Sequence, residues 1–161
     1  MKFTINQMNC EDATEISKWI YQEPYSIYSL DGSDSCTNEL LNGFNFSVND
    51  EESNLLGYYC FGQSAQVPVG KQFNAYTDDD VTDIGLGIKP SLCGQGLGFD
   101  FLSHGLEFAR NNLSATGFRL TVASFNERAI KVYERIGFKK VNSFKRISEN
   151  GEMEFWIMTL C

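Results

Sequence analysis

The chain has 161 residues, with 21 acidic and 13 basic side chains and a net charge of −8. This length suits a single domain over residues 1–161 whose core requires neither disulfides nor metal ions. The negative charge disfavours nucleic acid and anionic membranes as partners, no stretch is apolar enough to span a bilayer, and the N-terminus turns polar too early for a signal peptide.

Five cysteines are scattered along the chain, at Cys10, Cys36, Cys60, Cys93 and Cys161. Their number is odd, and no pair has the spacing of a metal or redox motif. Free thiols of this kind are typical of a reducing compartment. The sequence therefore predicts a cytoplasmic protein with no bound metal.

The N-terminal half predicts alternating short strands and helices. Asn9 is placed to cap the first helix, and an aromatic-rich segment around Pro24 predicts a short helix or a loop. Two later runs of apolar residues flank a polar turn, as the strands of an antiparallel hairpin do. The expected strands cover residues 3–8, 44–48 and 55–61, and the expected helices cover residues 9–20 and 37–41.

The C-terminal half begins with a long connection, residues 62–80, of a length that is often functional. Its last residues, Asp78 to Asp80, predict a solvated loop. A strand, a helix and a strand then follow in an order that implies a right-handed parallel crossover. The expected strands cover residues 81–88, 118–123, 138–147 and 152–160. One expected helix begins near Leu97, and a second spans Asn126 to Ile136.

Three alternating glycines, Gly94, Gly96 and Gly98, separate the strand that ends at Ile88 from the next helix. Glycine permits unusual backbone dihedrals and a close approach to a ligand, and a helix N-terminus offers free amides to an anion. A tight turn that uses glycines only for steric reasons is the alternative. The sequence lacks a P-loop, and Phe99 breaks the dinucleotide fingerprint.

The loop PSLCGQGLG resembles the acyl-coenzyme A loop of the GCN5-related N-acetyltransferases (GNAT), whose motif reads Arg or Gln, two residues, Gly, one residue, Gly or Ala. Gly96 and Gly98 fill the glycine positions, whereas Cys93 stands where the family normally has Arg or Gln. The segment ASFNERAIKVYERIGFKKV resembles the family's second signature at Asn126, Ala129, Tyr133, Gly137 and Phe138.

This resemblance implies a mixed α/β fold, the acyl-coenzyme A N-acyltransferase fold, with a mostly antiparallel central sheet, one splayed parallel strand pair and helices on both faces. It implies an acetyltransferase that moves the acetyl group of acetyl-coenzyme A directly to a primary amine in a ternary complex. The acceptor would be a small-molecule amine or a protein amine, and a homodimer stays open. The alternative is a non-catalytic module that binds or senses acyl-coenzyme A, which Cys93 supports.

The resemblance also implies a set of cofactor-binding residues along one strand, the glycine loop and the following signature. Asn126 would contact the cofactor arm, although a plain helix N-cap is an equally simple role for it. The implied residues are Leu86, Gly87, Ile88, Cys93, Gly94, Gln95, Gly96, Leu97, Gly98, Phe99, Asn126 and Tyr133.

Two residues are implied in catalysis. Tyr133 corresponds to the family's general acid for the coenzyme A sulfur, and its alternative is a buried core tyrosine. Asp83 stands where several members carry a glutamate that acts as a base directly or through water, and its alternative is a solvated charge at a strand end.

The acceptor side is implied to lie around Glu23, Tyr25, Tyr28 and Tyr76, with Phe73 nearby. Aromatic rings beside a carboxylate suit an ammonium group, and ordinary packing is the alternative for each residue. The single histidine, His104, has no partners spaced for a catalytic triad or a metal site, so we expect it to be structural.

Overall fold

The computed structural model describes residues 2–78 and 80–161, so Asp79 of the predicted solvated loop lies outside the described residues. Strands and helices alternate along the chain. The strands are β1 (Thr4–Gln7), β2 (Asn45–Asn49), β3 (Leu55–Phe61), β4 (Thr82–Ile88), β5 (Phe118–Ala123), β6 (Lys139–Ser148) and β7 (Gly151–Leu160). The α-helices are α1 (Cys10–Ser17), α2 (Asp34–Leu40), α3 (Gly98–Asn112) and α4 (Glu127–Ile136).

The strands form one sheet in the order β1-β2-β3-β4-β5-β7-β6. Every neighbouring pair is antiparallel except β4 and β5, which are parallel. The predicted fold class is therefore confirmed, including the parallel pair at the centre. That pair is short, because only Thr82 with Phe118 and Asp83 with Arg119 are in register.

Helix α1 starts as predicted and ends early. The Asn9 side chain accepts a hydrogen bond of 2.8 Å from the Asp12 N–H, which caps the helix. At the other end, the N–H groups of Lys18 and Trp19 donate to carbonyls three residues back, which tightens and closes the last turn. Ile20, the last residue of the predicted helix, lies beyond α1 and is 73% exposed.

The irregular segments contain 3₁₀ helices. The aromatic-rich segment forms one at Tyr25–Tyr28, and the long connection forms two, at Gly62–Ala65 and Pro68–Phe73. Helix α2 begins earlier than predicted because the Ser33 side chain caps it by accepting from the Cys36 N–H at 3.1 Å. Asp78 and Asp80 are exposed, as predicted for a solvated loop.

The core has layers on both faces of the sheet. The main cluster joins the sheet to α3 and α4 and includes Ile84, Leu86 and Ile88 of β4. Side chains alternate along a strand, so Asp83 and Gly87 face the opposite side. There, a second cluster packs α1 and α2 against β3. Among the described residues, no helix is long and apolar enough to cross a membrane.

Candidate active site

The loop between β4 and α3 presents a run of free backbone donors. Gly94 and Gly96 have φ angles of 76° and 78°, in the left-handed region that favours glycine. Within the described residues, no N–H group from Gly94 to Asp100 donates a hydrogen bond. Unpaired donors at the start of a long helix suit an anion with several oxygens.

The loop is also open to a ligand. A β-carbon at Gly96 would meet no atom within 4 Å, so its glycine is required by the backbone angle rather than by crowding. Gly94, Gln95 and Gly96 are exposed. The Gln95 side chain donates to the Ser91 carbonyl at 3.0 Å, which leaves the main chain as the ligand-facing part of this residue.

Beyond Asp83 and Arg119, β4 and β5 separate and leave a gap in the sheet. The N–H of Lys89 donates to the Leu56 carbonyl of β3 at 2.8 Å. Main-chain groups alternate in direction along an antiparallel strand, so those of Leu86 and Ile88 point away from β3 and into the gap. Of the three predicted strand residues, the structure thus leaves the main-chain groups of Leu86 and the N–H of Ile88 available to a ligand.

Gly87 has a different role from the one expected. Its main chain faces β3 rather than the gap, by the same alternation. A β-carbon at Gly87 would lie 2.3 Å from the ring of Tyr58. The glycine at this position therefore makes room for that ring.

Tyr21 is a residue that the sequence did not single out. Its hydroxyl donates to the Ile88 carbonyl at 2.7 Å, at the end of the β4 edge that borders the gap. The Cys93 sulfur lies 3.6 Å from the same carbonyl oxygen. Burial raises the pKa of Tyr21, so the hydroxyl remains a donor. No motif spacing marks Tyr21, because it lies 67 positions from its partner.

Asn126 caps α4. Its side-chain oxygen accepts from the Ala129 N–H at 3.2 Å, and its Nδ2 donates to the Tyr28 hydroxyl at 3.1 Å. The N-cap interpretation is confirmed. The side-chain amide therefore also links the start of α4 to the aromatic-rich segment. This contact lies just after the end of β5.

Tyr133 is half-buried on α4, with its ring 6.2 Å from that of Phe138. Burial raises the pKa of its hydroxyl, and the neighbouring Tyr28 adds to the rise. This hydroxyl has no hydrogen-bond partner among residues 2–78 and 80–161. The ring therefore contributes to packing while the hydroxyl keeps a proton that it can donate.

Asp83 is buried rather than solvated, with 4% of its surface exposed. Its two carboxylate oxygens accept hydrogen bonds of 2.7 Å from Nε and Nη2 of Arg119, and Gln66 donates a third of 2.9 Å. These bonds to Asp83 raise the pKa of Arg119. The alternative of a solvated charge at the strand end is wrong, because Arg119 and Gln66 engage both carboxylate oxygens in a buried site.

The predicted acceptor residues divide into two places. Tyr25 and Tyr28 lie with ring centroids 6.0 and 6.4 Å from that of Phe125, and the Glu23 carboxylate accepts from the nearby Ser26 hydroxyl. Tyr76 lies elsewhere. Its hydroxyl is 2.7 Å from that of Thr121 on β5 and accepts from the Val67 N–H.

Two cavities correspond to these places. One, of about 360 Å³, lies on the face of the sheet that carries Asp83, and it is lined by Gln66, Tyr76, Asp78, Asp83 and Arg119 among others. The other, of about 400 Å³, lies between the N-terminal segment and the glycine loop. Its lining includes Tyr21, Glu23, Tyr25, Cys93 and Arg128.

His104 has a structural role, as predicted. Its Nδ1 lies 2.7 Å from the Asp100 carbonyl one turn earlier in α3, and its ring packs edge-on against Phe3. In the part of the chain that the structure describes, no three His, Cys, Asp or Glu side chains are grouped to hold a metal.

Comparisons with known proteins agree with this geometry. The sequence model described as "Acetyltransferase (GNAT) family" matches residues 10–138. A search of curated proteins gave no significant match. Among solved structures, a GNAT-family acetyltransferase from Bacillus anthracis has a TM-score of 0.74 at 16% identity, over 99% of this chain and 95% of that one. The spermidine/spermine N-acetyltransferase SpeG from Vibrio cholerae, in complex with manganese ions, has a TM-score of 0.70 at 18% identity, over 99% and 92%.

Proposed function

This chain belongs to the GNAT family of acetyltransferases, and from that premise we propose that it transfers the acetyl group of acetyl-coenzyme A to the primary amine of a small cationic acceptor. The transfer is direct, in a ternary complex of protein, thioester and amine. The observation that carries the proposal is the run of unpaired N–H groups from Gly94 to Asp100, beside the open edge of β4.

The described residues fit the coenzyme. The loop N–H groups would hold its diphosphate, and the main chain of Leu86 and Ile88 would bind its amide-bearing arm as an added strand does. Asn126, three residues beyond the end of β5, would contact the arm from the β5 side. When bound, acetyl-coenzyme A supplies an activated thioester.

In the proposed reaction, the amine nitrogen bonds to the thioester carbonyl carbon and the carbon–sulfur bond breaks. Tyr133 donates its hydroxyl proton to the departing sulfur, and this role is supported by the absence of a hydrogen-bond partner for the hydroxyl among the described residues. A main-chain N–H on the β4 edge stabilises the charge that develops on the carbonyl oxygen. The acceptor ammonium loses one proton to solvent before the attack. The second nitrogen proton, which is released as the amide forms, passes through solvent to restore the Tyr133 hydroxyl.

Asp83 has a different role in this proposal from the base that the sequence suggested. Its oxygens are occupied by Arg119 and Gln66, so we assign it to holding β4 and β5 together where they begin to diverge. An acid–base role would require the ion pair to open in each cycle.

The acceptor class follows from charge and aromatic content. Glu23 and the ring of Tyr28 offer a carboxylate and a π-face, both of which attract ammonium groups. The Tyr25 ring beside them already lies under the Arg128 guanidinium. The net charge of −8 favours a cationic acceptor over an anionic one. The structural neighbour SpeG is a spermidine/spermine N-acetyltransferase, which makes polyamines the first acceptors to examine.

The test is a panel of amines assayed by thiol release from acetyl-coenzyme A. The panel contains spermidine, spermine, an amino sugar, a lysine peptide and a peptide with a free N-terminus. We expect turnover with the small polycationic amines and weaker turnover with the peptides. Calorimetric titration with coenzyme A runs beside the assay, and a folded protein without affinity for coenzyme A contradicts the proposal.

A pair of glycine variants controls the binding measurement. Gly96→Glu places an anion in the loop and should abolish coenzyme A binding. Gly43→Glu is the matched control, because Gly43 also has a positive φ, 93°, and open space around its β-carbon position, but lies between α2 and β2. Both variants place a glutamate at a positive φ, so only the loop variant should lose the ligand.

A non-catalytic module that binds acyl-coenzyme A is the second candidate. Cys93 at the motif's usual Arg or Gln position and the engagement of Asp83 by Arg119 favour it. Coenzyme A binding without thiol release on any amine would support this candidate over the enzyme.

A further inference from the structure

The glycine loop from Pro90 to Asp100 contains no lysine or arginine, and the protein as a whole is acidic. Lys89 directly precedes this stretch, and its Nζ pairs with the Glu15 carboxylate at 3.8 Å. Backbone N–H groups supply hydrogen bonds but only partial charges. A side-chain cation, if the site has one, must come from another element.

Helix α4 lies alongside this loop. Arg128 Nη1 is 3.4 Å from the position of a β-carbon at Gly94, and Val132 is 3.5 Å from that of Gly98. The Arg135 guanidinium then stacks over the Phe99 ring, 4.6 Å from its centroid. Because positions four and seven residues apart share a face of a helix, one stripe of α4 follows the loop from Gly94 to Phe99.

Arg128 is the member of this stripe that reaches the cavity. Together with Cys93 it lines the cavity of about 400 Å³ beside the loop. Its guanidinium stacks over the Tyr25 ring, 4.3 Å from the centroid, which holds the side chain in place before any ligand arrives. Arg128 forms no ion pair with a carboxylate in the described residues, so its charge is available.

We propose that the Arg128 guanidinium binds the diphosphate of the coenzyme, and so supplies from α4 the cation that the loop lacks at Cys93. The fork of N–H donors on a guanidinium matches two phosphate oxygens at once. This inference rests on the proposed function, since the ligand is the coenzyme of that reaction. It adds a phosphate-binding residue from α4 to the cofactor site.

The experiment measures calorimetric binding of coenzyme A, dephospho-coenzyme A and pantetheine to the wild type and to Arg128→Gln. Dephospho-coenzyme A keeps the diphosphate and lacks the 3′-phosphate, whereas pantetheine has no phosphate. We expect the variant to bind both nucleotides about tenfold more weakly or worse, the usual effect of losing a hydrogen-bonded charge. Its affinity for pantetheine should equal that of the wild type.

Two further variants sharpen the result. Arg146→Gln removes the same charge from the exposed face of β6, where Arg146 lies over the Phe155 ring, and it should bind all three ligands as the wild type does. Cys93→Arg introduced into Arg128→Gln returns a guanidinium to the loop and should restore nucleotide affinity. Thermal melting of each variant shows that the fold is retained.

The outcomes separate this proposal from the proposed function. A wild type that binds no coenzyme A overturns both. A wild type that binds coenzyme A, with Arg128→Gln binding it equally well, overturns only the role of Arg128. A variant that loses coenzyme A but not dephospho-coenzyme A assigns Arg128 to the 3′-phosphate and overturns the diphosphate contact, as does an equal loss for pantetheine.

Discussion

The ion pair of Asp83 and Arg119 joins β4 and β5 at the last residues that are in register. Both side chains are almost entirely buried, at 5% and 6% exposed. Removing one member of such a pair leaves the other charge without a counter-charge in a largely buried site. The pair therefore contributes to stability mainly because breaking it would leave an uncompensated charge in a buried site.

Replacing Asp83 with Asn should lower the free energy of unfolding by about 3–5 kcal/mol, because Arg119 loses its counter-charge. Urea denaturation measures this change. Lys145→Gln is the control, since it breaks the exposed pair with Glu152 and should cost less than about 1 kcal/mol. Normal stability combined with a collapsed kcat would return Asp83 to the role of catalytic base.

Tyr133→Phe isolates the hydroxyl that the mechanism uses. We expect kcat to fall by about 10²–10⁴-fold, the usual contribution of a positioned acid, while coenzyme A affinity stays near that of the wild type. The melting temperature should hardly change, because the hydroxyl has no hydrogen-bond partner among the described residues. Unchanged turnover at saturating substrate would remove Tyr133 from the mechanism.

At the scale of elements, Asn126 at the N-terminus of α4 has two roles. It caps the helix, and we propose that it binds coenzyme A. Asn126→Ala should destabilise the fold by about 1 kcal/mol through loss of the cap. Asn126→Asp keeps a capping oxygen but loses the Nδ2 donor and adds a negative charge. It should therefore melt like the wild type yet bind coenzyme A more weakly, and equal binding would leave Asn126 with the cap alone.

The elements that the sequence predicted best are those whose ends are fixed locally. Strand β5 has the predicted limits, and α4 lies between its own cap, Asn126, and Gly137, whose φ of 123° suits glycine. The end of α1 was missed because i−3 hydrogen bonds, not a Gly or Pro signal, close it. The loop glycines, in contrast, could be identified from the sequence because they form a local motif.

The residues of the candidate site that escaped prediction come from distant segments. Arg119 is a charged residue between the buried Phe118 and Leu120. This pattern indicates that the charge has a buried counter-charge, but it does not identify Asp83 as that residue. Tyr21 and Arg128 carry no such signal, and only the packing of their elements brings them to the glycine loop. Spacing along a chain reports local geometry, whereas these contacts depend on how the sheet and helices assemble.

At the scale of the whole molecule, burial of weakly acidic groups should make the fold sensitive to alkali. Burial raises the pKa of Cys60 to about 12, and it also raises the pKa values of Tyr58, Tyr59 and Tyr133. In an unfolded chain these groups ionise near pH 8.5 for Cys and 10 for Tyr, at roughly their ordinary pKa values. Above those values the folded state binds more protons than the unfolded state, so stability falls as pH rises.

We therefore expect the free energy of unfolding to be nearly constant around neutrality and to decline above about pH 9, by as much as ~1.4 kcal/mol per pH unit for each group involved. Urea titrations between neutral and strongly alkaline pH measure this slope. Cys60→Ala should delay the onset of the decline relative to its own neutral value. A stability that stays level through the tyrosine range would contradict the expectation.

The gap between β4 and β5 has a mechanical consequence. Within the described chain, the half of the sheet made of β1 to β4 is joined to the half made of β5 to β7 by a two-residue parallel ladder. Such a short connection allows the two halves of the sheet to move relative to each other, and a ligand bound in the gap should restrict this motion. Deuterium uptake at the amides of Leu86 and Ile88 should therefore be fast in the free protein and slow once the cleft is occupied, with protection extending into strands that never touch the occupant.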